Sequence, residues 1–293
     1  MATIAKKSKK LMALKNKGVY MDYQIYFIPT PIGNLDDMTL RAVKTLKEVD
    51  IIACEDTRES RKLLDHFNIK KELTSYHKFN EVAKSEEIIE NCKNGMTYGI
   101  ITDQGMPGIS DPGHILIKKC IEEGVSYTIL PGASSILTAL VGSGLENTSF
   151  IYYGFIPKKQ GDKEKLYQEL KGQRRTSILF DTPHNIEKTI EDFKEIFPDR
   201  KLCIARELTK KFEEYYIEEI GKINPEELTL KGEFVLVLSG ADPIENESLE
   251  DFEDEIKAYL KDGLRTKEIT KIIKDKSSFN KNEIYEYVLT LSK

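Results

Sequence analysis

Three stretches of this chain combine glycine, proline and hydroxyl residues as rigid ligand-binding loops do, and two more carry charged and aromatic groups. Ile100–Gly113 reads IITDQGMPGISDPG, with Asp103 closing an apolar run before Gly105, Gly108, Gly113, Pro107 and Pro112. Glycine permits positive φ and close backbone approach, while proline stiffens a loop that must hold one shape. The loop is longer than the roughly two to six residues of an ordinary strand-to-helix connection, which favours a functional role. Pro131–Ser135 places Gly132, Ser134 and Ser135 at a helix start, a pattern that suits a carboxylate or other anion and equally a simple N-cap. Thr30–Leu35 matches neither G-x-x-x-x-G-K-[ST] nor G-x-G-x-x-G, so no nucleotide phosphate cradle is expected there. Together the three loops suit a ligand with carboxylate, amine and aromatic parts rather than a triphosphate. Glu55–Arg58 and Tyr76–Asn80 add carboxylate, guanidinium, imidazole and aromatic groups.

These groups need elements to position them. Apolar runs at Ile25–Pro29, Asp50–Cys54, Leu73–Tyr76, Tyr98–Ile101 and Val125–Leu130 read as strands. Between them lie helical patterns carrying Leu40, Val43 and Leu46; then Leu63, Leu64 and Phe67; then Ile88, Ile89 and Cys92; then Leu116, Ile117, Cys120 and Ile121, with Gly124 as a stop. Ile136, Leu137, Leu140 and Val141 mark a further helix. Alternation of strand and helix predicts a largely parallel α/β sheet whose polar loops gather along one edge. Pro157–Asp162 reads as a linker. Beyond it, Thr176–Asp181, Lys201–Arg206, Tyr215–Ile220 and Gly232–Leu238 read as strands of a second α/β domain, with a helix near Asn185–Ile196. The acidic run 245–255 reads as a solvated helix start or hinge, and helical periodicity follows it. The expected organisation is a basic tail over 1–22, α/β domains over 23–155 and 160–242, and a helical module over 248–293.

Composition narrows the class. At 40% hydrophobic and 32% charged residues with a net charge of −5, the chain reads as a globular protein whose acidity argues against wholesale nucleic-acid coating. No apolar run approaches the roughly 20 residues of a membrane span, so no membrane association is expected. Cys54, Cys92, Cys120 and Cys203 are scattered without C-x-x-C, and no cluster has metal-ligand spacing, so neither disulfides nor a metal is expected. A cytoplasmic location follows. The lysine-rich N-terminus lacks an apolar signal core and reads as a solvated tail or an arm touching RNA phosphates.

Six segments, TPIGNLDDMTLRA, IIACEDTRESRKLLDHF, SYHKFNE, ISDPG, PGASSILTAL and ARELTKKFEE, occur in order between about Ile25 and Gly240. They resemble the ribosomal RNA small subunit methyltransferase I family, within the tetrapyrrole-methylase class of S-adenosylmethionine enzymes. The resemblance implies 2′-O-methylation of a cytidine ribose in the decoding region of 16S rRNA, within the small ribosomal subunit. It also implies two α/β domains with the S-adenosyl-L-methionine cleft between them, and usually a homodimer. The cofactor loops then supply Pro31, Gly33, Thr102, Asp103, Gly105, Pro131, Gly132 and Ser134. The family usually reads D-A-G-T-P in the central loop, where this chain has Gln104 and Met106, and Gly108 stands where a leucine is common.

For such a reaction the protein mainly aligns oxygen, methyl and sulfur, and a nearby base helps remove the hydroxyl proton. Glu55, Asp103 and His77 are the candidates, with Asp56 open between base and helix cap. Arg58 and Arg61, one helical turn apart, either grip phosphates with Lys78 or form a solvated face or an internal ion pair. Tyr76 and Phe79 either stack on a splayed base or belong to the core. Two further readings stay open: a methyltransferase of the same fold acting on a tetrapyrrole or other small molecule, and a non-catalytic ribosome-assembly factor.

Overall fold

A computed structural model describes residues 23–241, 248–277 and 279–292, so the basic N-terminal tail and the start of the acidic run lie outside the described residues. The described chain divides into two units, the first formed by residues 23–138 together with Glu207–Glu213.

The first unit is built on five strands: β1 (Ile25–Phe27), β2 (Ile51–Cys54), β3 (Glu72–Ser75), β4 (Tyr98–Ile100) and β5 (Tyr127–Ile129). They pair in the order β3-β2-β4-β1-β5, and every pairing is parallel. Parallel strands need crossover helices on their faces, and the central strands β1, β2 and β4 are buried almost throughout, while the edge strands β3 and β5 are not. Ile25 and Phe27 pack with Ile88, Cys92, Leu116 and Cys120, from α3 (Glu81–Lys93) and α4 (His114–Glu123). Tyr26 and Ile28 point the other way, to Leu46 and Leu64 of α1 (Leu40–Glu48) and α2 (Thr57–His66). A fifth helix, α5 (Ser135–Gly142), begins in this unit.

Local signals set the helix ends. Thr39 Oγ1 accepts from Ala42 N at 3.0 Å to start α1, and Asp56 Oδ1 accepts from Arg58 N at 2.8 Å to start α2. Gly124 closes α4 in the left-handed region at φ 65°. Two periodicity assignments need correction. Leu35–Asp37 forms a separate 3-10 turn, so α1 starts at Leu40 and turns that side chain outward, 82% exposed, while Ala42 and Leu46 face the core. Ile121 is likewise 65% exposed on α4, because Leu116 and Cys120 already fill the buried stripe.

The second unit holds a mixed sheet in the order β6-β7-β10-β8-β9. Its strands are β6 (Phe150–Phe155), β7 (Thr176–Asp181), β8 (Lys201–Arg206), β9 (Glu214–Glu219) and β10 (Phe234–Leu238). β6 is parallel to β7 and the remaining pairs are antiparallel. β6 differs from the sequence reading, which ends the first domain at residue 155. Its alternation is broken by an irregularity between Tyr152 and Gly154, where Gly154 takes φ 77°. The predicted linker is also shorter than expected, since α6 (Gln160–Gly172) begins inside it. That helix buries few apolar side chains, chiefly Tyr167 and Leu170, which pack with Ile190 and Phe193 of α7 (Ile186–Ile196). The tail forms α8 (Glu253–Lys261), α9 (Thr266–Lys276) and α10 (Lys281–Leu291) around Ile256, Ile269, Ile273, Ile284 and Val288.

One buried carboxylate ties the first unit's strand ends together. Glu81, 9% exposed at the start of α3, accepts from Gly113 N at 2.7 Å, Ile115 N at 3.3 Å and Tyr76 Oη at 3.1 Å. Gly113 takes φ 146°, and a Cβ there would stand 2.9 Å from Gly108 N. Replacing Glu81 by Ala leaves two amides unanswered and the Tyr76 phenol with Ser85 alone, and the expected cost is about 3 kcal/mol in urea unfolding. Glu81→Gln keeps an acceptor oxygen and should cost about 1 kcal/mol. Equal losses for the two variants would show that packing, not the acceptor, is what matters there.

Candidate functional site

The loops after β1 and β4 meet at the centre of the parallel sheet. These adjacent strands send their connections in opposite directions, the arrangement at which open α/β sheets form a ligand crevice. An isolated bridge joins the loops: Thr30 N donates to Gly105 O at 3.0 Å, and Gly105 N donates to Thr30 O at 3.1 Å. Thr30 Oγ1 adds a bond to Thr102 O at 3.0 Å. Thr102 is 2% exposed and Pro31 and Gly105 are buried, so these three predicted cofactor residues present little surface. Gly105 takes φ 74°, the conformation for which glycine is needed. The unusual Gln104 and Met106 flank this bridge without breaking it.

A cavity of about 460 Å³ is lined by Ile32, next to Pro31, and by Gly132, Ser134, Leu137, Thr138 and Thr209 among others. That volume lies in the range of small-molecule sites. Gly132 comes within packing distance of β1's end: a Cβ there would stand 2.7 Å from Pro29 Cβ. Its lack of a side chain therefore serves loop-to-loop packing, and a bulky substitution would disturb the wall itself. Ser134 Oγ accepts from Leu137 N at 3.4 Å, which makes it a cap of α5. Pro131 is exposed next to it. Gly33 carries the segment Glu207–Glu213 against it, since a Cβ at Gly33 would meet Lys210 Cγ at 2.5 Å and Leu208 O at 2.8 Å. The lining also includes the Asp37 carboxylate and the Thr39 hydroxyl, with no Lys or Arg. Hydroxyls with one carboxylate suit a ligand bearing hydroxyls and positive charge, and disfavour a polyphosphate.

Carboxylates collect at the ends of β2 and β4. Asp103 Oδ1 accepts from Asp56 N at 3.2 Å, linking the two strand ends. Desolvation raises the Glu55 carboxyl above its ordinary range, and Asp103 adds to the rise while Lys78 and His77 oppose it. Asp103 is raised first by desolvation and then by Asp56 and Glu59, against the hydrogen bond from Asp56 N. Asp111 is pushed up to about 6 by burial, with Glu55 and Asp103 adding repulsion and Lys78 relieving part of it. Asp111 sits in the ISDPG segment, yet the sequence reading does not single it out. The available signal was a carboxylate inside a loop of glycines and prolines. Thr209 and Asp37 were missed for a different reason: only folding brings them to the cavity.

The remaining predicted residues sort by environment. Asp56 caps α2, and the Arg58 guanidinium bonds it at 2.9 Å, holding its carboxyl down near 2. Arg58 is thus engaged, although its side chain is 85% exposed. Arg61 donates to Lys71 O at 3.3 Å. Tyr76 does not reach a surface: it is 1% exposed and bonded to Glu81, which makes it core rather than a stacking platform. Phe79 is 98% exposed, with Lys78 exposed beside it. His77 N donates to Asn80 Oδ1 at 2.8 Å, and its buried Nδ1 has no hydrogen-bond partner among the described residues. No group of three His, Cys, Asp or Glu among the described residues is arranged to hold a metal ion. Likewise, no described helix is long and apolar enough to cross a membrane.

Comparison with known proteins bears on this site. Residues 24–224 match the family model described as Tetrapyrrole (Corrin/Porphyrin) Methylases. The chain is 39% identical to the ribosomal RNA small subunit methyltransferase I of Halalkalibacterium halodurans, over 89% of this chain and 93% of that protein. It is 38% identical to the protein of the same name from Bacillus subtilis, over 89% and 92%. Among solved structures, diphthine synthase has the same fold, with a TM-score of 0.57 at 15% identity over 73% of this chain and 89% of that one.

The raised Asp111 carboxyl has a stability consequence. Its proton is held more tightly in the folded chain than in the unfolded one, whose carboxyl titrates near 4. Stability should therefore fall as pH rises from about 4 through about 6, and the penalty persists above that range. Asp111→Asn removes the ionisable group. It is expected to raise unfolding free energy at pH 8 by about 1 kcal/mol after allowance for solvent screening, with little effect at pH 4. Denaturant titrations at the two pH values measure this, and a gain of the same size at both would refute it.

Proposed function

The chain belongs to the tetrapyrrole methylase family, and on that footing we propose that it methylates ribosomal RNA of the small subunit. In this reading S-adenosyl-L-methionine is the donor, and the acceptor is the 2′-hydroxyl of a cytidine ribose in the decoding region of 16S rRNA. The observation that carries the reading is the near-full-length similarity to proteins named for that RNA. The cavity supports the cofactor assignment, because its lining combines threonine and serine residues with one aspartate and holds no Lys or Arg. Ile32, Gly132 and Ser134 would hold the cofactor there.

The bound cofactor would supply an electrophilic methyl group on sulfur. The residues of this chain then have two tasks. Glu55, Asp103 and Asp111 form a coupled acidic group whose raised affinity for protons suits acceptance of the ribose hydroxyl proton. Phe79 and Lys78 stand exposed after β3, the first offering a face for base stacking and the second a charge for phosphate. The acceptor group must be ionised to act, so the methylation rate should rise with pH through about 6.

Mass mapping of ribose methylation in 16S rRNA, with and without this protein, tests the assignment. A missing cytidine methyl that the purified protein restores is expected. Methyl transfer to a tetrapyrrole, or to no acceptor at all, would favour the small-molecule or non-catalytic reading instead. Two variants address the residues. Glu55→Gln should slow transfer by roughly 100-fold with donor affinity unchanged. Phe79→Ala should weaken RNA binding by about 1–3 kcal/mol; undiminished RNA affinity would move the stacking surface elsewhere.

A further inference from the structure

Phe79 and Phe212 are the two most exposed phenylalanines among the described residues, at 98% and 65%. Each directly follows an exposed lysine, Lys78 and Lys211, and both pairs lie in loops of the first unit. Lys211 Nζ stands 5.6 Å from the centre of the Phe212 ring, a cation–π contact. Its loop is held from within: Lys210 N donates to Glu207 O at 3.0 Å, Glu213 N donates to Lys210 O at 3.1 Å, and Thr209 N donates to Glu213 Oε2 at 2.5 Å. Lys210 Nζ pairs with Glu207 Oε1 at 3.0 Å, while Lys211 keeps its charge in water. Glu207 and Thr209 take φ 50° and 64°, strained backbone of the kind that persists where contacts impose it and that clusters at ligand clamps. The segment rests on Gly33, where a Cβ would meet Lys210 Cγ at 2.5 Å and Leu208 O at 2.8 Å. Lys211 and Phe212 are thereby fixed beside the loop after β1.

Strand order determines what lies between the two pairs. The parallel strands run β3-β2-β4-β1-β5, so the loops that follow them emerge on one edge. Lys78 and Phe79 follow β3, Glu55 follows β2, and Asp103 and Asp111 follow β4. The Gly33 loop, with Lys211 and Phe212 beside it, follows β1. The acidic group therefore sits between two lysine–phenylalanine pairs. β3 and β1 are three strand spacings apart, about 14 Å, which a few nucleotides of single strand cover. A stacking face with a cation next to it suits such a strand, because every base has a π-face and every nucleotide a phosphate. A small acceptor would fill the space at the acidic group without reaching both pairs.

We propose that Lys211 and Phe212 form a second RNA contact, Phe212 stacking on a base and Lys211 pairing with a phosphate. The single strand then crosses the sheet edge from Lys78–Phe79 to Lys211–Phe212, with its target ribose at the acidic group between them. The proposal rests on the reading of this protein as an RNA methyltransferase.

Binding of small ribosomal subunits to the full-length protein, followed through a KCl series at fixed Mg²⁺, tests this. Calorimetry with S-adenosylmethionine, sedimentation velocity and ligand-free melting accompany it. Phe212→Ala is expected to weaken subunit binding about tenfold, and Phe212→Tyr, which keeps a stacking face, to stay within about twofold. Lys211→Ala should make the fall of log affinity with log salt shallower by about 0.7, the loss of one phosphate contact on a single strand. Donor affinity, oligomeric state and melting should be unchanged in all three. Wild-type subunit affinity in Phe212→Ala overturns the proposal, as does an equal loss in Phe212→Tyr or an unaltered salt slope in Lys211→Ala. A changed oligomeric state in Phe212→Ala would assign the ring to a contact between copies of this chain, and a lowered melting temperature would assign it to the fold; either overturns the proposal. Failure of the wild-type protein to bind subunits would instead overturn the RNA reading, and this proposal with it.

Discussion

The Glu81 carboxylate is the constraint on which the geometry of the first unit depends. Removing a carboxylate from water is costly unless its oxygens are answered by donors. Here the donors are the amides of Gly113 and Ile115, at the positive end of α4, and the phenol of Tyr76 beyond β3. One side chain thus joins the end of β3, the start of α3 and the far end of the loop after β4. The near end of that loop is tied to Thr30 by the Thr30–Gly105 bridge. The loop is held at both ends, so Asp103 and Asp111 have defined positions without a helix or strand of their own.

That rigidity lets unfavourable charge arrangements persist. Glu55 and Asp56 are neighbours in the chain, yet their acidities move in opposite directions. Asp56 meets the Arg58 guanidinium and the first amides of α2, and is a strong acid. Glu55 is partly buried and faces Asp103, and is a weak one. The difference comes from environment alone, since two carboxylates of similar intrinsic acidity diverge once one is desolvated and the other paired. A relaxed loop would let Asp103, already exposed, move away from Glu55 and lessen the divergence. The left-handed turn at Thr209 is held in the same way, by the hydrogen bonds of Lys210 N to Glu207 O and of Thr209 N to Glu213.

Much of this protein is legible in its sequence. The central strands β1, β2 and β4 announce themselves as short apolar runs ending in polar loops, because strands buried on both faces are apolar almost throughout, whereas edge strand β3 is the mixed Glu72–Ser75. Asp56 and Gly124 are recognisable as helix boundaries, since capping is a local interaction. The ordered segments from TPIGNL to ARELTKKFEE are sufficient for the family resemblance. β6 is harder to see, because Gly154 interrupts its alternation, and α6 is obscured by the few apolar side chains it buries.

Tertiary structure decided the rest, wherever the outcome depended on which segments meet. Sequence pattern alone determines that Tyr76 and Phe79 flank a polar turn, and cannot say which is core. Burial against Glu81 and Ser85 takes the first, and the second is left almost wholly in water. Likewise Gly33 and Gly132 are evident as glycines in loops, but their reasons are Lys210 and Pro29, which lie far from them or across a strand order no local signal encodes. Thr209 is the extreme case. Its neighbours in sequence belong to the second sheet, and only the return of Glu207–Glu213 to the first unit brings it to the cavity. Local chemistry fixes caps, strands and turns because their partners are a few residues away, whereas a site assembled from distant segments exists only once the chain has folded.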